Sequence, residues 1–181
     1  MNVLNEKRFT KLEYGLILTI VVVILFFQGA SIMMDIGLMR KTIYGDSMAP
    51  TLNEGDEILY ISTKYKKIKR GDIVSIKIDD HNHYVKRVIA LPGEEITIKG
   101  IDIYINNEEL EDSYAYYEDW AKEFIDQGLL EVKNGTWILK SDEYFLIGDN
   151  RITSFDSRDF GPVSKDKMIQ VAIRIKQNSR D

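Results

Sequence analysis

His83-Tyr84-Val85-Lys86-Arg87-Val88-Ile89-Ala90-Leu91, HYVKRVIAL, is rich in β-branched and aromatic residues and ends at Pro92-Gly93. It reads as a strand. Side chains alternate across a strand, so Lys86 shares a face with Tyr84 and Val88, with Ala90 beyond. A lysine on an apolar face loses hydration, and that disfavours its charged form. Two readings stay open on the strand alone. Lys86 snorkels from an edge into solvent, or it is buried and becomes a base.

Similar runs surround it. DEILYIS (56–62), DIVSIKI (72–78), EITI (95–98), IDIYIN (101–106), TWILK (136–140), EYFLIGDN (143–150) and MIQVAIRI (168–175) are short and strand-like. Turn residues separate them, as at Asn53-Glu54-Gly55-Asp56 and Lys69-Arg70-Gly71-Asp72. The expected fold class is mainly β, an antiparallel barrel-like or sandwich core. One segment departs from it. SYAYYEDWAKEFIDQG (113–128) carries Tyr114, Tyr117, Phe124 and Ile125 near a helical stripe, with Gly128 placed to end it. It predicts a small helical excursion, within about 107–142, packed on the sheet.

Upstream, YGLILTIVVVILFFQGASIMM (14–34) has no charged residue in 21 positions. A bilayer's hydrocarbon core takes about 20 apolar residues. A signal peptide's apolar region runs only about 7–15 residues, so a retained transmembrane helix is expected. Lys7, Arg8 and Lys11 before it outnumber Arg40 and Lys41 after it, which places the N-terminus in the cytoplasm. The expected organisation is a cytoplasmic tail (1–13), a membrane anchor (14–34) and an extracytoplasmic domain (35–181).

The net charge of -5 argues against nucleic acid as a partner. The chain has no cysteine, which excludes disulfides, thiolate metal sites and thiol catalysis. His81 and His83 are the only histidines, and DDHNHY reads as a hairpin tip with solvated side chains, not as a metal site. The strongest nucleophile candidate is Ser47, in Tyr44-Gly45-Asp46-Ser47-Met48-Ala49-Pro50-Thr51-Leu52. A serine needs a base beside it. A lysine with a burial-lowered pKa can fill that role without histidine. In GDNRITSFDSRDFGP (148–162), Asp156 and Arg158 are two apart, suited to a same-face ion pair in extended chain, and Ser154 could hydrogen-bond an amine.

These stretches, in this order behind a membrane span, resemble the bacterial type I signal peptidases, membrane-bound serine-lysine proteases that remove leader peptides. The resemblance rests on Gly45-Asp46-Ser47-Met48-Ala49-Pro50-Thr51-Leu52, Arg70-Gly71-Asp72-Ile73-Val74, Tyr84 to Gly93, and Gly148-Asp149-Asn150-Arg151 through Ser154, Asp156-Ser157-Arg158 and Gly161. The short single-span form looks like that of Gram-positive bacteria. The resemblance implies Ser47 as nucleophile, Lys86 as general base, and Ser154 as the hydroxyl that orients the amine. It implies Asp156 and Arg158 as a bracing ion pair, with Asp149 and Arg87 supporting. Where some relatives carry a serine that helps hold the oxyanion, this chain has Gly45, which leaves the Ser47 backbone N–H as the donor that can be named. Ile43, Tyr44, Gly45 and Met48 are the expected substrate-binding residues.

The implied partners are preprotein signal peptides, cut after small residues of the Ala-x-Ala type, and the lipid bilayer. Pilins or other surface proteins are further candidate substrates. No cofactor and no metal are implied. The alternative is a signal-peptidase-like assembly factor for surface fibres that acts mainly by binding.

Overall fold

The computed structural model describes residues 10–78 and 83–178. The chain divides into two compact units, at Gly37 and Leu38. The first is helix α1, Lys11–Asp35. Thr10 accepts from the Glu13 N–H while Glu13 Oε2 accepts from the Thr10 N–H, a reciprocal cap that fixes where the helix starts. Its 25 residues span about 37 Å at ~1.5 Å per residue, long and apolar enough to cross a bilayer. Thr19 donates its hydroxyl to the Gly15 carbonyl at 2.9 Å, so this polar group is satisfied within the helix.

The second unit is built on strands β1 (Met39–Thr42), β2 (Glu57–Ser62), β3 (Ile73–Lys77), β4 (His83–Ala90), β5 (Glu95–Lys99), β6 (Asp102–Ile105), β7 (Glu108–Glu109), β8 (Gly135–Ile138), β9 (Glu143–Ile147), β10 (Val163–Ser164) and β11 (Met168–Lys176). They form two antiparallel sheets. One has the order β1-β2-β11-β3-β4-β9-β10 and the other β7-β6-β5-β8. The expected mainly β, antiparallel architecture is what the chain forms.

Strand β9 links the two sheets, because its two faces line two different cores. Tyr144 and Leu146 face a core with Val74, Ile76, Val88 and Val171, while Phe145 and Ile147 face a second with Ile96, Ile98, Ile103 and Ile105. Both its faces are buried, hence its continuous apolar run. A third core, on the other face of β2 and β3, gathers Ile43, Met48, Leu52, Ile58, Tyr60 and Ile73. It pins the loop that carries Ser47.

Two sequence expectations need correction. The helix of the excursion, α2, covers only Asp119–Asp126. Tyr114 and Tyr117 are not on it, because Tyr116 pairs as a bridge with Asn150 and Glu118 is extended at the cap. Gly128 does follow the helix end, at φ 70. The even spacing along β4 also fails at one point. The register against β9 shifts between Val88 and Ala90, so Val88 joins the first core and Ala90 the second. Tyr84 and Val88 share the face of Lys86 as read, and Ala90 does not.

Candidate active site

Lys86 is 1% exposed, inside the first core's face of β4. Its Nζ makes a hydrogen bond with Ser47 Oγ at 2.7 Å, across 39 residues of sequence. Burial lowers its pKa from 10.5 to about 8; Asp156 opposes this, Arg158 reinforces it, and Asp149 and Asp159 oppose it more weakly. Of the two readings of the strand, the buried amine is the one the fold adopts.

Ser47 sits at the start of a turn whose entry requires Gly45, at φ 83. Met48 and Leu52 are buried on either side of the bend and hold it to the third core. The Ser47 carbonyl accepts from the Asn150 N–H at 3.2 Å, tying the serine turn to the loop after β9. Gly148 makes that approach feasible. A Cβ there would meet Ser154 Oγ at 2.2 Å and the Ser47 carbonyl oxygen at 2.4 Å.

Asp156 is fully buried and holds this loop in several directions. It accepts from the Gly148 N–H at 3.0 Å, and from Arg158 Nε and Nη2 at 2.9 Å each. Burial pushes its pKa up, but the Arg158 contacts win and hold the carboxyl below its ordinary range. The ion pair is not the extended same-face pair expected from the spacing. Asp156 instead caps the short helix α3, Ser157–Phe160, and Arg158 folds back from its first turn.

Arg87 and Asp149 form a second buried bidentate pair, with Nε to Oδ1 at 2.7 Å and Nη2 to Oδ2 at 2.5 Å. Arg87 Nη1 also donates to the Gly71 carbonyl at 2.8 Å. Ser154 is buried beside these groups, close enough to the Asp156 carboxylate to help hold its pKa down, and makes no hydrogen bond to Lys86 Nζ.

A cavity of about 430 Å³ opens beside Ser47. Ile43, Tyr44, Gly45 and Met48 all line it, facing Tyr84 and Val85 of β4. His83 also lines it, while His81 lies outside the described residues. No cluster of metal-ligating side chains occurs among the described residues.

The signal peptidase family, peptidase S26, matches residues 12–175. This chain belongs to that family. Signal peptidase I V of Bacillus subtilis is 37% identical over 134 residues, covering 71% of this chain and 80% of its own. Signal peptidase IB of Staphylococcus aureus is 30% identical over 168 residues, covering 87% and 85%. A signal peptidase I crystal structure from Enterococcus faecalis aligns at 30% identity and a TM-score of 0.46, over 57% of this chain and 94% of its own. The protein is an enzyme, a peptidase of family S26.

In this signal peptidase the excursion also reaches the site. The Tyr114 ring lies 3.6 Å from the Arg87 guanidinium carbon. The Tyr116 N–H donates to the Asp149 carbonyl at 2.8 Å, and its carbonyl accepts from the Arg151 N–H at 3.0 Å. Arg151 pairs with Asp112 and donates from Nε to the Gly148 carbonyl at 3.0 Å. The 148–158 loop is thus held by the sheet on one side and by residues 112–116 on the other. The tyrosine-rich run in that segment was the one available hint, and it read as helix.

Proposed function

We propose that this chain is a membrane-anchored signal peptidase I that cleaves preproteins with Ser47 as nucleophile and Lys86 as general base. The observation that carries the reading is the 2.7 Å contact between Ser47 Oγ and a lysine amine that is 1% exposed. At the ordinary lysine pKa about 0.03% of the amine is neutral at pH 7, against about a tenth at a pKa of about 8. Burial therefore raises the working base population roughly 300-fold.

Neutral Nζ takes the Ser47 proton as Oγ attacks the scissile carbonyl. The new oxyanion forms near the Ser47 N–H. When the C–N bond breaks, the ammonium gives that proton to the leaving amine, which leaves an acyl-enzyme. A water then loses its proton to the same amine and attacks the ester carbonyl. Ser47 leaves with the proton returned, and the free acid is the signal peptide. Asp156 with Arg158 and Asp149 with Arg87 hold the loop around the amine. The Ser154 hydroxyl is within the same loop and is assigned to orienting the amine during turnover.

An extended substrate fits the free backbone edges here. β4 pairs with β9 only from Arg87 onward, which leaves His83–Lys86 bonded on the β3 side alone. Chain 42–45 forms the opposite wall. A peptide between them adds as a strand and sets alternate side chains, those one and three before the scissile bond, into the cavity. Small residues at those two positions are what the family resemblance implies. With α1 in the bilayer and the N-terminus cytoplasmic, the catalytic unit is extracytoplasmic, and sharing one membrane with the substrate raises the effective concentration. A purely binding role in assembling surface fibres leaves the buried lysine-serine contact without a use.

The test is full-length protein in detergent with a preprotein bearing an Ala-x-Ala site, with products identified by mass. Cleavage after the second alanine by the wild type, and none by Ser47→Ala or Lys86→Met, is the expected result. Undiminished cleavage by either variant would overturn the dyad.

A further inference from the structure

Lys41 stands on the inner face of β1, an edge strand of its sheet. It is half-buried between the exposed Arg40 and Thr42. It lies opposite the fully buried Ile58 and shares its face with the buried Ile43. It lines the cavity beside Ser47, with its amine 6.0 Å from the centre of the Tyr60 ring. Arg40, on the outer face, is engaged by Glu57 at 3.5 Å. The Lys41 amine has no ion pair or hydrogen bond among the described residues, only that ring contact. No carboxylate lines the cavity among the described residues. Asp46, the acid nearest in sequence, lines a separate depression with Asn53 and Glu54. On the opposite wall, three residues back from Lys86 in sequence, is His83, which is never anionic.

A cation left unpaired on the wall of a groove selects its partner by charge, favouring an anion and penalising a second cation. The place along the substrate follows from strand geometry. Four steps of chain separate Lys41 from Gly45, next to the serine turn. At about 3.3 Å per residue, four steps also separate the fifth residue before the scissile bond from the first. In an extended peptide the fifth side chain shares a face with the first and third. A peptide that sets those two into the cavity therefore brings the fifth to the Lys41 end.

We propose that Lys41 is a specificity-determining residue that pairs with an acidic side chain, glutamate or aspartate, at the fifth position before the scissile bond. This position lies outside the small-residue pair. The proposal rests on the reading of Ser47 as nucleophile, which fixes the other end of the bound peptide.

The experiment measures kcat/KM of the full-length enzyme in detergent at low salt. The substrates are three preproteins with the same Ala-x-Ala site that differ only in glutamate, glutamine or lysine at the fifth position. Wild type is compared with Lys41→Met, Lys41→Glu and Ser47→Ala. Wild type should prefer glutamate over glutamine about fivefold, the upper end for a solvent-accessible ion pair, and should cut the lysine substrate least. Added salt should shrink the preference. Lys41→Met should bring the three substrates together, and Lys41→Glu should reverse their order. A residue that only supports the fold would lower all three equally and leave their ratios intact. Equal cleavage of the three substrates by the wild type would overturn the role of Lys41, and so would a glutamate preference that survives in Lys41→Met. Cleavage that persists in Ser47→Ala would instead sink the nucleophile assignment and leave the charge preference to be judged by its own ratios.

Discussion

Replacing Lys86 by methionine should make this protein inactive and more stable, and the gain should depend on pH in a defined way. Burial lowers the amine from 10.5 to about 8. At about 1.4 kcal/mol per unit, the drop of 10.5 minus about 8 corresponds to roughly 3 kcal/mol. The sign follows from proton counts. Between pH 8 and 10.5 the unfolded chain binds the lysine proton and the folded chain does not, so stability rises with pH there. The penalty is fully present below about pH 8 and is gone above about pH 10.5. Methionine has similar bulk and no proton to lose. The stability difference between Lys86→Met and wild type should therefore be about 3 kcal/mol larger at pH 7 than at pH 10.5. In a domain of this size that is about 6–12 °C in Tm. Differences in packing cancel, because they do not vary with pH. The assay is chemical denaturation of both full-length proteins in detergent, read by tryptophan fluorescence. Trp137 is a suitable probe, with its ring 4.8 Å from Phe145 in the second core. A gap between the two proteins that stays constant from pH 7 to 10.5 would refute the claim that the fold lowers the Lys86 pKa.

The acid limb of kcat/KM against pH should fall near pH 8, where Lys86 titrates, and Arg158→Gln should move it upward, because the lost cation now lowers Lys86 and leaves Asp156 free to raise it. A limb at the same pH in both proteins counts against that electrostatic account. Gly148→Ala forces a Cβ to within 2.4 Å of the Ser47 carbonyl and should cost about 1–3 kcal/mol of stability, with activity reduced beyond what the loss of folded protein explains. A fully active, equally stable alanine variant would show that the loop has room the geometry denies. Tyr114→Ala removes the ring over Arg87 and should destabilise by about 1 kcal/mol, measurable in the same denaturation assay. A change too small to measure would mean that the excursion only covers the site.

Strand positions were readable in the sequence because each run is short, β-branched and closed by turn residues. β1, β7 and β10 were not, since two of them have only two residues and Met39–Thr42 carries two charges. Ser47 and Lys86 were legible as chemical types, and the strand period correctly put Lys86 with Tyr84 and Val88. What the period could not supply was burial. Whether a lysine on that face snorkels or stays dry depends on the Ser47 turn and the 148–158 loop closing over it, and those contacts come from distant sequence. The bulge between Val88 and Ala90 was equally hidden, because it reflects pairing with β9 rather than any local turn signal. Tyr114 and Tyr117 misled for a related reason. Aromatic spacing looked helical, while the segment's backbone is used by Asp149 and Arg151 as a strand-like brace.

The arrangement of charges explains how the amine can stay basic in company that should protonate it. Asp156 and Asp149 both act to raise the Lys86 pKa. Either carboxylate, standing unpaired in this buried setting, would attract the ammonium and hold the proton. Each is instead engaged by an arginine in a bidentate contact, Arg158 on Asp156 and Arg87 on Asp149. The arginines cannot lose their protons, so the two pairs remain neutral overall at any working pH. The carboxylates are free to do structural work, with Asp156 fixing the Gly148 N–H and capping α3. Desolvation is then the largest influence left on Lys86, and it favours the neutral amine. On this view the two ion pairs matter to catalysis through what they cancel, and an arginine lost from either should shift the pH dependence before it disturbs substrate binding.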